Sequence, residues 1–454
     1  MKQSYNLTEG KIVQALFRLA LPIMGTSLVQ LAYNLTDMIW VGRIGARAVA
    51  AVGTAGFFTW LAMAFILIPR TGAQVGVAQA IGRGDSREAK IYIQHSIQLI
   101  ICLALFYGAI LIVFRKPLIG FFNLKETDII NNATIYLVII SCGLLFYFLN
   151  PVFTAVFNGF GDSKTPFLVN SVGLVTNMVL DPLMILGIGP FPRLEVAGAA
   201  IATVIAQAIV TLIFLVLVKK RPEFFSGVRL FAGLKKEYVR KIVKLGFPLA
   251  LQSGLFTIFA MGVTRIIAQW GPIPIAVQKV GSQIEAISWM TASGFEAAMS
   301  TFVGQNYGAK KWQRVIRGYF AGMSIMSVIG ILATGLLIFA ARPLFKIFIQ
   351  EEETVRQGIV YLRILGFSQL FMCIEATTAG AFNGLGRTIP PSFVGIFFNA
   401  SRIPLALLLS ATRLGLNGIW WTISITSIFK GVVLCTWYLI MLKRSPETKA
   451  MLTN

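Results

Sequence analysis

Acidic residues are scarce in this chain: 18 Asp and Glu stand against 40 Lys and Arg in 454 residues, a formal net charge of +22. Histidine occurs once, at His95, and the four cysteines, Cys102, Cys142, Cys373 and Cys435, all lie within apolar runs with no CxxC or Cys/His spacing. Histidine-based catalysis therefore lacks residues, and neither a disulfide framework nor a cysteine metal site is indicated. No phosphate-binding loop, nucleophile elbow or metalloprotease motif occurs, so ATP-driven transport and intramembrane proteolysis lack residues as well. No enzymatic activity and no cofactor are expected. Residues 1–14 are polar, with no short apolar region and no small-residue cleavage site, so no removable signal peptide is expected.

What the chain does have is apolar surface. With 56% hydrophobic and 13% charged residues and a mean hydropathy of +0.76, it is too apolar for a soluble globular protein. The apolar runs extend over about 20–25 residues, which excludes the shorter alternating segments of a β-barrel and leaves helices as the spanning elements. An all-α integral membrane protein follows, with twelve transmembrane helices predicted at 12–42, 48–79, 91–114, 129–155, 165–188, 196–218, 241–269, 275–306, 314–340, 355–381, 391–411 and 416–442. Pro22, Pro151, Pro182, Pro248 and Pro404 fall inside spans and are expected to kink them. The basic residues lie mostly in short loops, so the charge reads as a topology signal and not as a nucleic-acid footprint. Arg83, Arg87, Lys90, the 219–244 segment, Lys310 to Arg317 and Lys443/Arg444 share the side of the N-terminus. Fewer lie opposite, among them Arg43, Arg47, Arg115, Lys116 and Lys125. Both termini are therefore predicted cytoplasmic, in a multi-pass protein of the plasma membrane.

The chain also repeats itself at about 225 residues. Arg18 to Pro22 matches Lys244 to Pro248, Gln79 to Gly82 matches Gln305 to Gly308, and Phe157 to Gly161 matches Phe382 to Gly386. Six helices between copies preserve membrane orientation, so the halves are parallel repeats. Two six-helix bundles are expected, an N-terminal lobe over 1–218 and a C-terminal lobe over 241–454, joined by a basic cytoplasmic strap over 219–240 with a cleft between the lobes. Every loop is short, which argues against a receptor or scaffold and leaves the chain read as a monomer in the bilayer.

The repeat acts as an internal control on each polar residue within a span. Gln30, Tyr33, Asn34 and Asp37 form one helical stripe on the first span. In the second half, Phe259, Ala260 and Val263 stand where Tyr33, Asn34 and Asp37 do. On the fifth span, Asn177 and Asp181 correspond to Arg402 and Ala406. The fold does not require these polar groups, and an ionisable group at the bilayer centre costs about 2.5–3.5 kcal/mol, so they mark function. Asp37 and Asp181, with Asn177, Tyr33 and Thr203 of the sixth span, are read as a proton or cation site, Na⁺ being possible at Asp37, Asn177, Asp181 and Thr203. Two carboxylates in low dielectric each disfavour the other's ionisation, so the site loads a proton or Na⁺ from one side and releases it when access switches. The competing reading pairs each carboxylate with a basic residue. Gln30, Asn34, Glu296, Glu375 and Arg402 are candidates for a substrate cavity, with pairing of Glu375 to Arg265 or Arg402 as the alternative. Glu285, near Lys279, is expected to be a paired or cavity-wall group.

Leu21-Pro22, the segment Tyr33 to Asp37, the following Val41-Gly42 and the segment Asn177 to Pro182 together resemble the MATE (multidrug and toxic compound extrusion) family, and the paired aspartates resemble its DNA-damage-inducible branch. The resemblance covers essentially the whole chain. It implies a V-shaped pair of lobes and antiport of organic, mostly cationic or amphipathic small molecules against H⁺, with Na⁺ second. It also implies an N-lobe cation site at Asp37, Asn177, Asp181 and Thr203. The family's other branch places an acid on the seventh span, where this chain has Ala250 to Phe256 without one. A lipid-linked oligosaccharide flippase of the same superfamily is the alternative, kept open by Arg402, Arg265 and Lys279.

Overall fold

The computed structural model describes residues 6–124, 126–228 and 233–445, with the side chains of Ala46 and Glu223 left aside. Lys125, residues 229–232 of the predicted strap, and residues 1–5 at the start lie outside the described residues. In chain order the helices are α1 (Ile12–Ile44), α2 (Ala46–Gly82), α3 (Ser86–Val113), α4 (Arg115–Gly120), α5 (Thr127–Cys142), α6 (Leu144–Gly159), α7 (Lys164–Leu186), α8 (Glu195–Lys220) and α9 (Pro222–Phe225). The second half supplies α10 (Lys236–Ala268), α11 (Pro272–Gly308), α12 (Trp312–Phe339), α13 (Ala341–Lys346), α14 (Glu352–Gly366), α15 (Gln369–Gly384), α16 (Ile389–Ser410) and α17 (Leu416–Arg444). The described residues contain no strand.

Among the described residues nine helices are long and apolar enough to cross a bilayer singly, and the pairs α5/α6 and α14/α15 do so together. The twelfth span is α11, whose 37 residues carry Lys279, Glu285 and Glu296 and dilute its apolar character. The predicted kinks in part move elsewhere. Pro22, Pro151, Pro182, Pro248 and Pro404 do sit inside helices, but the fourth span breaks by 51° between Cys142 and Leu144, at Gly143 and well before Pro151. Gly143 has no Cβ and lies against Val204 of α8, so close packing places the bend where the chain is bare. The tenth span breaks by 45° between α14 and α15, with no proline involved.

The chain divides into two compact units, Gly25–Ala250 and a second made of Met1–Met24 with Leu251–Asn454. The division passes through α1 and α10, shortly after Pro22 and Pro248. Within the first unit, the backbone N–H of Lys235 donates to Nε2 of His95 (2.9 Å), whose Nδ1 lies 2.8 Å from the Ile91 carbonyl; this structural bond is the role of the lone histidine. Within the second, Arg314 donates to the carbonyls of Leu7, Glu9 and Gly10 at 2.7–3.1 Å. A charged donor holding three carbonyls fixes a segment that has no secondary structure of its own.

The turns carry local signals. Gly84 adopts φ +76°, and the following Asp85 caps α3 by accepting from the Glu88 N–H at 2.8 Å, as an N-cap aspartate does. Gly161 and Gly386 take φ +88° and +75° at equivalent turns of the two repeats, a conformation glycine enters without steric cost.

Candidate functional site

The polar stripe on α1 divides along its two i, i+4 rows. Tyr33 and Asp37 lie one turn apart and turn inward, whereas Gln30 and Asn34, also one turn apart, are exposed. On α7, Asn177 and Asp181 are both fully buried, at 0% exposure, and the Asn177 amide donates to Asp181 Oδ1 at 2.9 Å. Spacing of four on a helix makes that bond geometrically natural. Asp37 and Asp181 are close enough for their charges to act on one another, and both act on Tyr33. The Tyr33 hydroxyl approaches Thr203 and Gln207 of α8 without completing a hydrogen bond.

Four buried oxygens of this cluster have no hydrogen-bond partner: the Tyr33 hydroxyl, Asp37 Oδ1, Asn177 Oδ1 and Asp181 Oδ2. Buried polar atoms are otherwise nearly always paired, and each one left over costs about 1–3 kcal/mol. Neither aspartate enters an ion pair among the described residues, so the reading in which each is matched by a base is not what the structure contains. An all-oxygen set with two carboxylates fits a proton or a hard monovalent cation. No group of three His, Cys, Asp or Glu side chains suited to a transition metal occurs among the described residues.

Four neighbours of the site, Tyr136, Asn150, Gln207 and Thr211, were not among the sequence candidates. Tyr136 of α5 is buried within electrostatic reach of Asp37, Tyr33 and Asp181. Asn150 of α6 donates to both the side chain (2.7 Å) and the carbonyl (3.0 Å) of Gln207, and accepts from the Thr211 hydroxyl at 2.7 Å. Thr203, Gln207 and Thr211 recur every four residues along the otherwise aliphatic α8, and that polar row was the signal available in the sequence.

The candidates of the second unit are arranged differently. Glu375 pairs with Lys430 of α17 at 3.2 Å, both side chains largely buried. The base is thus neither Arg265 nor Arg402, because α15 packs along α17. Arg402 donates through Nε to Thr426 and through a terminal nitrogen to Ser427, each at 3.0 Å. It also feels the charges of Glu375 and Glu285. Glu285 lies beside the Tyr361 hydroxyl and not in an ion pair with Lys279, and its Oε1 has no partner. Glu296 accepts from Asn383 at 3.0 Å. Glu375 is thus matched by a base, whereas Glu285 keeps an unpartnered oxygen as the carboxylates of the first unit do.

The MatE family profile matches residues 22–183 and 248–408, once in each repeat. "Probable multidrug resistance protein NorM" of Thermotoga maritima is 30% identical over 98% of this chain and 95% of its own length. An FAD transporter of Shewanella oneidensis is 23% identical over 95% of both. A solved multidrug resistance MATE transporter of the MOP superfamily, in an outward-facing conformation, superposes with a TM-score of 0.90 over 98% of each chain at 22% identity, which speaks to the fold.

Proposed function

The chain belongs to the MATE family of multi-pass membrane transporters, which are not enzymes, and from that premise we propose that it exports organic, mostly cationic or amphipathic compounds from the cell in exchange for H⁺. Na⁺ is the second candidate for the coupling ion. The reading places the protein in the plasma membrane as a monomer with both termini cytoplasmic, and treats 1–218 and 241–454 as its working lobes, joined through 219–240.

The observation that carries the coupling assignment is the group of four unpartnered buried oxygens around Asp37 and Asp181. A cation entering there gains contacts to these four oxygens, and it relieves repulsion between the carboxylates. A coupling ion can drive a cycle only through its differential affinity for two conformations. Here the loaded site favours the arrangement in which Asp37 of α1 and Asp181 of α7 are together. The empty site, left with adjacent unpaired charges, favours their separation. Thr203 and Gln207 then serve as neighbours that orient Tyr33.

The test is efflux of a fluorescent organic cation from cells or vesicles under an imposed pH or Na⁺ gradient. Asp37→Asn is expected to abolish gradient-driven efflux with the protein expressed at normal level. Unchanged efflux in that variant would remove the coupling assignment, and dependence on a Na⁺ gradient alone would reassign the ion.

A further inference from the structure

The internal repeat exposes a second site, independent of the cation site. In the first repeat, the end of α8 continues into α9, and this segment closes a corner of the bundle. Arg221 pairs with the buried Asp162 at 3.5 Å, Phe224 stacks on Phe160 with ring centroids 4.0 Å apart, and Phe225 packs on Phe157. The corner is thus filled by an aromatic pair and its charge is neutralised from within the chain.

At a spacing of 225, Asp162 corresponds to Arg387 and Phe160 to Leu385. Residues 446–454, which follow α17 in sequence and lie outside the described residues, include no aromatic residue and one acid, Glu447. Where the first repeat is plugged, the described residues of the second leave a cavity of about 530 Å³ bordered by Tyr307, Trp312, Arg387, Trp437, Ile440 and Arg444. None of its lining residues is acidic, and among the described residues neither arginine has an ion-pair or side-chain hydrogen-bond partner. The volume is that of a small-ligand pocket, and the reversal of charge from Asp162 to Arg387 means that an anion completes it.

The position of the cavity specifies the kind of anion. At 1.5 Å per residue the 29 residues of α17 extend about 43 Å, the thickness of a bilayer with its headgroup layers. Arg444, the last residue of the helix, is therefore at headgroup depth. Phe429, Val433, Trp437 and Ile440 form an exposed apolar row leading along α17 to the cavity. Tryptophans at this level suit the membrane interface, and basic pockets among spanning helices suit acidic headgroups.

We propose that this cavity is a binding site for an anionic phospholipid, with the headgroup phosphate met by Arg387 and Arg444 and an acyl chain lying along the Phe429 to Ile440 row of α17. The lipid takes the place that Phe224 and Arg221 fill in the first repeat.

Tryptophan quenching by bromine-labelled lipid tests this on the purified full-length protein in mixed micelles, with Trp437→Phe identifying the contribution of Trp437. Brominated phosphatidylglycerol should quench Trp437 saturably, at a mole fraction about 30-fold lower than brominated phosphatidylcholine, taking about fivefold per basic side chain. Arg387→Gln and Arg444→Gln should each remove about fivefold, and together they should abolish the preference. The exposed positions of both arginines make folded variants the expectation, verified by gel filtration and helical circular dichroism. Equal quenching by the two lipids, or a preference that survives in the double variant, would overturn the proposal. Displacement of the lipid by millimolar inorganic phosphate would also overturn it, assigning the pocket to a soluble phosphate ligand.

Discussion

Replacing Asp181 by asparagine should make the protein more stable while removing its coupling. Asp181 is fully buried, accepts one hydrogen bond from Asn177, and leaves Oδ2 without a donor. The isosteric amide keeps an oxygen for Asn177 and the same volume, but removes a buried charge within electrostatic reach of Asp37. An unsatisfied buried oxygen costs about 1–3 kcal/mol, and more when charged. For a unit of this size each kcal/mol is worth about 2–4 °C in Tm, so Asp181→Asn should raise the unfolding temperature by several degrees in detergent. The rise should be largest at alkaline pH and low Na⁺, where the wild-type carboxylates carry their charge unneutralised, and should shrink when protons or Na⁺ load the site. Thermal unfolding followed by intrinsic fluorescence across a pH and Na⁺ grid measures it. A lowered Tm under all conditions would show that the carboxylate is satisfied by a partner, and would refute the reasoning.

Two further predictions concern packing and charge. Gly198→Ala places a Cβ against the Met184 carbonyl, where the backbones of α7 and α8 approach too closely for a side chain; the cost should be about 1–3 kcal/mol, read as a lower Tm, and an unchanged Tm would show that the helices can part freely. Lys430→Met leaves Glu375 charged and unpaired, which should cost about 3–5 kcal/mol, and adding Glu375→Gln should recover most of the loss in the same assay; no recovery would mean that Lys430 matters for packing and not for the pair.

Most spans were legible because they are long apolar runs between charged or glycine-bearing turns. Predicted ends such as 12–42 and 416–442 fall within a few residues of Ile12–Ile44 and Leu416–Arg444. That Asn177 and Asp181 share a helix face was legible from their spacing alone, since helix geometry makes i and i+4 neighbours; the bond between them is what the structure adds. The bend at Gly143 was not, because Pro151 is the stronger local signal and the bend depends on Val204 of another helix. The partner of Glu375 was also hidden: Lys430 is 55 positions away, and nothing local distinguishes it from Arg265 or Arg402. The same limit applies to Tyr136 and Asn150, which reach the site through tertiary packing. The division of the α1 stripe, with Tyr33 and Asp37 half-buried and Gln30 and Asn34 exposed, needed the orientation of the helix, which a stripe of uniformly polar residues does not specify.

The central claim, that a cation loaded at Asp37 and Asp181 drives export, is tested most directly by ion movement in proteoliposomes holding the purified protein. With no imposed gradient, adding a transported organic cation to one side should move H⁺ in the opposite direction, recorded by a trapped pH dye, and Asp37→Asn should abolish that movement while substrate still binds. Substrate-driven H⁺ movement of wild-type size in Asp37→Asn would contradict the account.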